Sequence, residues 1–414
     1  MSNRSNLMSP PPQPVATATL SNAQPVSFED TSISFSSQSD FKLRKTYWLF
    51  ALMNKGWLVK LGTFFIKLAL NLQLPIKGLI KNTIFEQFCG GETIRDCEKT
   101  IQYLHNAHVG TILDYSVEGE ENEKCFDSTV LEILRTIERA SESQDIPFSV
   151  FKVTGVAETE LLEAVQRGDE LSEADQAAFA RVRERVQTLC QRAHDKNVRI
   201  FIDAEESWIQ DTIDCLAYEM MDRFNHERCV VYNTYQMYRW EMYDQLTKAT
   251  EQARLKGYFL GAKLVRGAYL EKERIRSHED EYQDPIQATK EDTDRDFNRA
   301  IDFCLTNRDV VSICLGTHNE YSCQYTIGQM KRMGIEPNDP HIYFAQLLGM
   351  SDNISYNLAN AGYNVAKYVP YGPVEAVMPY LFRRAEENKS IAGQSSREFN
   401  LVKSELERRK GCKK

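Results

Sequence analysis

From residue 110 onward, short apolar runs alternate with longer amphipathic stretches, and no other feature of the sequence constrains the fold as tightly. The runs cover residues 111–118, 148–155, 199–206, 229–235, 259–267, 311–318, 341–349 and 364–372. Each is rich in β-branched or aromatic residues and short enough for a buried strand. The stretches between them, such as 128–141, 175–196, 211–225 and 241–256, carry helical periodicity. Strands alternating with helices build parallel βαβ units. Eight runs over this span predict an α/β fold, a (β/α)8 barrel of the TIM type. An open doubly wound sheet is the alternative. No Gly-x-Gly-x-x-Gly follows any of the runs, which disfavours a dinucleotide-binding sheet.

The 414 residues suffice for one such barrel plus extra helices, and 42% hydrophobic with 26% charged residues is an ordinary globular composition. A formal charge of −9 argues against a general nucleic-acid binder. Ten cysteines at irregular spacing, with no Cys-x-x-Cys, fit a reducing compartment better than a disulfide framework. His105 and His108 have no second ligand pair, so no metal site is expected. No apolar run reaches the length of about 18 residues that spans a bilayer. Residues 1–38 are rich in Ser, Pro, Thr and Ala and read as a disordered tail. Arg4 is their only basic residue, and Pro10, Pro11 and Pro12 break any amphipathic helix, which speaks against an import signal.

Residues 39–109 read as an N-terminal helical segment, 110–395 as the barrel and 396–414 as a charged helix or tail. Within 41–88, Trp57, Leu58, Leu61, Phe64, Phe65, Leu68 and Leu72 fall at helical spacing until Pro75 ends the run. The first expectation is a face packed on the barrel. The second is a peripheral membrane face, because Lys55, Lys60, Lys67, Lys77 and Lys81 flank the apolar residues.

In a barrel of this kind the chemistry collects where the strands end. Here those ends carry Glu118, Lys152, Asp203 with Glu205 and Glu206, Asn233 with Gln236, Lys263 with Arg266 and Tyr269, Thr317 with His318, Gln346, and Lys367 with Tyr368 and Tyr371. Any one of these groups could be an exposed loop charge or a structural ion pair. Polar ends on all eight runs are harder to explain that way. A last helix, with the run YLFRRAEEN, carries Tyr380, Arg383, Arg384 and Glu387. Arg383 and Glu387 are spaced to pair on one helix face. Adjacent arginines point about 100° apart, so only a group beyond the helix meets both, and a small carboxylate suits their forks.

The runs LDYSVEGE, FKVTG, IDAEES, KLVRGAYLEKER, GTHN, QLLGM, KYVPYG and YLFRRAEEN, in this order, resemble the proline dehydrogenase family, of the stand-alone type. The resemblance covers roughly residues 40–395. It implies a distorted barrel with extra N-terminal helices, a C-terminal helix over the active site, and non-covalent FAD. By resemblance, Lys152, Arg383 and Arg384 hold the substrate carboxylate, and Glu118 and Glu387 hold the arginines. Asp203, Lys263 and Tyr368 match catalytic positions, and Tyr269, Leu348 and Tyr380 match walls around the substrate ring. Arg266, Gly267, Ala268, Thr317 and His318 match cofactor contacts, with Lys263 near the flavin N5 where the family often has Arg. Gln236 is the expected isoalloxazine contact and Asn233 a second candidate.

What the resemblance implies is oxidation of L-proline to Δ1-pyrroline-5-carboxylate, the first step of proline catabolism. Electrons would pass to a membrane quinone and the product to a pyrroline-5-carboxylate dehydrogenase. The location would be the bacterial cytoplasm at the inner membrane face, or the mitochondrial matrix side. Rival readings are a hydroxyproline dehydrogenase, a Schiff-base aldolase barrel using Lys152 or Lys263, and a silent binding protein on the same barrel.

Overall fold

The computed structural model describes residues 26–72, 76–116, 122–390 and 394–412, without the side chains of 56, 59–60, 67–71, 385–390 and 394–396. The eight runs become eight parallel strands paired in chain order, and the eighth closes on the first. The barrel proper runs β1 (Gly110–Tyr115), α7 (Glu123–Ser141), β2 (Phe148–Lys152), α8 (Thr159–Arg167), α9 (Glu173–Asp195), β3 (Arg199–Asp203), α10 (Ser207–Phe224) and β4 (Val231–Gln236). It continues through α11 (Met242–Lys256), β5 (Leu260–Val265), α12 (Leu270–Glu279), α13 (Lys290–Thr306), β6 (Val311–Gly316), α14 (Glu320–Arg332), β7 (Ile342–Leu347), α15 (Asp352–Asn360) and β8 (Val365–Tyr371). Before it lie α1 (Thr31–Ser34), α2 (Asp40–Met53), α3 (Gly56–Asn71), α4 (Lys77–Ile80), α5 (Glu86–Phe88) and α6 (Ile94–His105). After it come α16 (Met378–Ser390) and α17 (Gln394–Gly411). Closure excludes the open-sheet alternative.

Alternation along each strand sorts the side chains. One parity faces the barrel interior, where Ile112, Phe148, Val150, Phe201, Tyr232, Cys314, Ala345, Ala366 and Tyr368 form one cluster. The other parity, including Leu113, Ile202, Leu264, Ile313 and Val369, packs on the helices. Both faces are buried, which is why the strands read as continuous apolar runs. Gly261 is required inside: a Cβ there would lie 2.6 Å from a Tyr232 ring carbon and 2.4 Å from the Val231 carbonyl oxygen.

The extra helices differ from expectation in two places. First, the disordered tail expected to Gln38 is ordered from Val26 on, because Phe28 and Phe35 bury themselves and Asn353 Nδ2 and Asn357 Nδ2 donate to the carbonyls of Phe28 (3.1 Å) and Asp30 (3.2 Å); residues 1–25 lie outside the described part. Secondly, most of the stripe expected to pack on the barrel faces outward: Trp57, Leu61, Phe64 and Phe65 of α3 and Leu72 just after it are exposed, Leu58 is half-buried, and the Leu68 side chain lies outside the described residues. The inner contacts come instead from Leu43, Phe50 and Met53 of α2. Of the two forms expected of the C-terminal segment, helix or tail, it takes the helix, with Leu401 and Val402 of α17 packed against Phe35 and Leu43.

The long excursion after β2 also has a structural account. The α8 helix braces the start of α10, where Gln166 Nε2 donates to the Ser207 carbonyl (2.8 Å) and Thr212 Oγ1 to the Leu162 carbonyl (3.0 Å). Its Glu163 pairs with Arg276 of α12. The loops after β3 and β5 are therefore tied through one inserted helix.

Candidate active site

Lys152, Asp203 and Lys263 continue the interior parity of their strands beyond the aromatic layer, and Tyr368 joins them from β8. Lys263 is 5% exposed. Its Nζ donates to Asp203 Oδ1 at 2.5 Å and to the Tyr368 hydroxyl at 2.5 Å. The hydroxyl in turn donates to Asp203 Oδ1 at 3.4 Å. The ammonium also lies 4.4 Å from the Tyr368 ring centroid and 5.3 Å from that of Phe201. Burial, aided by the Asp203 charge, holds the Tyr368 phenol well above its usual range, so it stays neutral. The three residues expected to be catalytic thus form one unit.

A fourth member was not anticipated. Asp114 shares the inward parity of Ile112 and is buried at the same level, with Ser116 Oγ donating to its Oδ2 at 2.6 Å. Burial pushes its carboxyl up, while the Lys152 and Lys263 cations pull it back. Parity alone would have found it: two residues past an interior Ile, it must face inward.

Beside this unit, Glu205 is buried and accepts from the Thr154 backbone N at 3.0 Å and from the Thr154 hydroxyl. Burial pushes its carboxyl up to about 7, against the opposing effect of Lys152. Gln236 continues the parity of Tyr232 and donates through Nε2 to the Glu205 carbonyl (3.0 Å). Its Oε1 is buried without a hydrogen-bond partner. Asn233 has the opposite parity and donates to Asp214 of α10 at 2.8 Å. It faces the helix layer and not the mouth, so of the two expected ring contacts only Gln236 is placed for the role.

On the β5–β6 side, Arg266 is held by Asp294 (2.7 Å), Thr317 Oγ1 (2.7 Å) and Ser322 Oγ (3.0 Å), and stacks 4.4 Å from the Phe297 centroid. Gly267 has φ +140°, and a Cβ there would lie 2.4 Å from Tyr238 ring carbons, so only glycine fits. Ala268 beside it is exposed. His318 shares a hydrogen bond with Ser351 Oγ (2.9 Å). Burial, helped by Lys367, Arg384 and Arg266, depresses it to about 3, so its ring is neutral at physiological pH.

The α16 helix lies across this mouth. Its Tyr380, Leu381 and Met378 pack with Phe50, Phe85 and Met350. Arg384 is 8% exposed and sits 5.2 Å over the Tyr380 ring. Arg383 and Lys152 both act on the part-buried Tyr269, whose phenol burial raises and these cations lower. Arg383 thus lies within electrostatic reach of Tyr269, and Arg384 within that of His318. Leu348 is fixed beside them by its backbone N donating to the Tyr368 carbonyl at 2.8 Å. Lys367 is spent on structure, bound to Asp352 at 2.9 Å and to the Met350 carbonyl. Glu118 and the Glu387 side chain lie outside the described residues.

Comparison with known proteins agrees with the barrel fold. A family model described as proline dehydrogenase matches residues 97–397. The chain is 32% identical over 426 residues to proline dehydrogenase 1, mitochondrial, of Dictyostelium discoideum, covering 92% of this chain and 74% of that one. It is 28% identical over 434 residues to hydroxyproline dehydrogenase of Xenopus laevis, covering 96% and 93%. Of two further mitochondrial proline dehydrogenases it spans only 40% and 36% of the length. Among solved structures, proline utilization A (PutA) from Bdellovibrio bacteriovorus superposes with a TM-score of 0.68 at 16% identity, over 90% of this chain and 40% of that one. That likeness is one of fold.

Proposed function

The chain belongs to the proline dehydrogenase family, and from that premise we propose that it oxidises L-proline to Δ1-pyrroline-5-carboxylate with FAD as cofactor and a membrane quinone as final acceptor. The observation that carries this reading is the joining of Asp203, Lys263 and Tyr368 under a helix whose two arginines address the same mouth. The residues fit a flavin: Gln236 offers a buried acceptor without a partner, and Gly267 makes a turn that no side chain could occupy. Gln236, Arg266, Gly267, Ala268, Thr317 and His318 would hold it, with Lys263 beside it. When bound, FAD supplies the acceptor for the hydride that leaves proline C5.

Everything else is positioning by the chain itself. Lys152, Arg383 and Arg384 clamp the carboxylate, since guanidinium forks bind carboxylates in a fixed plane. Tyr269, Leu348 and Tyr380 wall the ring. Tyr368 is locked by Lys263 and Asp203, so it sets a hard limit on the ring's far side. The amine proton leaves to Asp203 or to water. Glu118 and Glu387 belong to the clamp as partners of the arginines. The product passes to a pyrroline-5-carboxylate dehydrogenase, and the place of work is the face of the bacterial or mitochondrial inner membrane.

The test is direct. Purified protein should be yellow, and anaerobic L-proline should bleach it. A colourless protein that cannot be reconstituted with FAD would end the proposal. Arg383→Met and Arg384→Met should each raise the proline KM about a hundredfold while flavin stays bound. Hydroxyproline is the second substrate to try, because the similarity to a hydroxyproline dehydrogenase extends over nearly the whole chain. The fixed Tyr368 hydroxyl crowds a ring substituent, so proline should turn over faster.

A further inference from the structure

We propose that Glu398 of α17 is a positioning residue for the mouth: it holds the β7–α15 loop so that Leu348 faces the substrate and Ser351 holds His318. Residues 348–351 join β7 to α15. At one end stands Leu348, a wall of the substrate ring in the function proposed above. At the other, the Ser351 hydroxyl shares a hydrogen bond with His318 Nδ1 at 2.9 Å.

Ser351 is in an unusual state. It occupies the N-cap position of α15, where a serine hydroxyl ordinarily accepts from a backbone N–H of the first turn. Here it makes no such bond, and its backbone is left-handed, with φ +51°. A residue with a Cβ keeps that conformation only where its surroundings hold it. The holding group is Glu398, which is 3% exposed and accepts from the Ser351 backbone N at 2.5 Å. A carboxyl buried this deeply is costly unless it is bonded. The middle of the loop is gripped separately, by Gln87 of α5 at the Gly349 carbonyl (3.1 Å) and by Lys367 at the Met350 carbonyl. Glu398 fixes the far end.

The neighbouring residue makes a parallel tie. Arg397 donates through Nε and Nη2 to the two carboxylate oxygens of Glu320, at 2.8 Å each. Asn353 Nδ2 of α15 donates to the same carboxylate at 2.8 Å. Glu320 opens α14, two residues after His318. Two adjacent residues of α17 thus fasten the loops after β6 and β7 to each other. One loop carries Thr317 and His318, the other Leu348. Anchoring α17 itself does not need Glu398, because Leu401 and Val402 already seat the helix against Phe35 and Leu43. The effects on flavin and proline rest on the function proposed above; the tie itself does not.

The tie is read first in the full chain as purified, labelled with 15N-histidine. The His318 ring is neutral at physiological pH, so its two nitrogens report which tautomer is held. Its signal, identified by its loss in His318→Asn, should be that of one tautomer. Glu398→Ala and Ser351→Ala should each turn it into a mixture. Glu398→Ala should also raise the FAD Kd and the proline KM about tenfold, whereas Glu398→Gln, which keeps an acceptor oxygen, should recover most of both. Ser351→Ala should raise the FAD Kd more than the proline KM, because its backbone N still meets Glu398. Val402→Ala loosens α17 away from the loop, so it should lower the melting temperature and leave both constants near the parent's. A His318 signal unchanged in Glu398→Ala and Ser351→Ala overturns the proposal. So does an equal rise of both constants in Val402→Ala, since α17 would then act through general stability. Should Glu398→Ala fail to fold, Ser351→Ala decides: an unchanged His318 signal and FAD Kd there overturn the proposal. A parent that shows the histidine changes but neither binds FAD nor oxidises proline leaves the tie intact and removes the function proposed above.

Discussion

The barrel interior has two halves built from the same strands. The lower half is aromatic: Phe148 stacks on Phe201 at 4.3 Å and 16°, and meets Tyr343 and Tyr232 edge-on at 4.9 and 5.5 Å. Its cation, Arg199, lies over the Phe148 and Tyr343 rings, 5.4 and 5.1 Å from their centroids. A few residues further along, the upper half is Lys152, Asp203, Lys263 and Tyr368, with Asp114 among them. The lower half is held by area and dispersion, which do not depend on protonation. The upper half is held by buried charges that stabilise one another only while every partner is present. One strand thus carries a pH-indifferent floor and a pH-sensitive mouth.

Substitutions should separate the halves. The largest effect is expected from Lys263→Met, which removes the cation bound to Asp203 and leaves Asp114 with Lys152 alone. It should cost about 3–5 kcal/mol in denaturant unfolding and abolish turnover, while Lys263→Arg recovers most of the stability. If Lys263→Met unfolds like the parent, the mouth is not held by charge. Next, Phe201→Ala should cost about 3–4 kcal/mol with little change in the proline KM, because the cavity opens below the site. A large KM change would show that floor and mouth are not separable.

Glu205 gives a pH test. Its folded carboxyl titrates near 7 against an ordinary 4.5, so the folded state binds the extra proton. The stability this supplies is complete below 4.5 and is lost as pH rises through about 7, by roughly 3 kcal/mol. Glu205→Gln should flatten that slope in melts taken across the window. An unchanged slope would assign it to another group, such as Asp214, which burial raises to about 6. Smallest of all, Thr154→Val removes a hydroxyl donor to Glu205 and should cost about 1–2 kcal/mol, more above neutral pH than below it.

The floor and strand order were legible in the sequence because a strand buried on both faces leaves a continuous apolar run. The joining of Asp203, Lys263 and Tyr368 was legible only through resemblance, since they lie on three strands and no local spacing links them. Asp114 was within reach of parity but hidden inside an apolar run, short of that run's polar end. The same parity argument would have turned Asn233 away from the mouth, because Tyr232 and Gln236 occupy the inward positions. The α3 stripe shows the limit of periodicity: spacing identifies a face, but only tertiary contacts decide whether it meets protein. Phe28 and Phe35 were masked by the serines around them, which dominate any compositional average.

The packing of α17 on α1 and α2 has a consequence for how the molecule is made. Leu43 finds its place between Phe35, Leu401 and Val402, and Arg409 donates to the carbonyls of Phe35 and Gln38 (2.7 Å each) and to Asp40 (2.9 Å). These partners are separated by nearly the whole chain. At synthesis rates of about 5–20 residues per second, the early helices wait some tens of seconds for the residues that cover them. During that interval the apolar inner face of α2 is open, so the nascent chain must be shielded before its last turn of helix emerges.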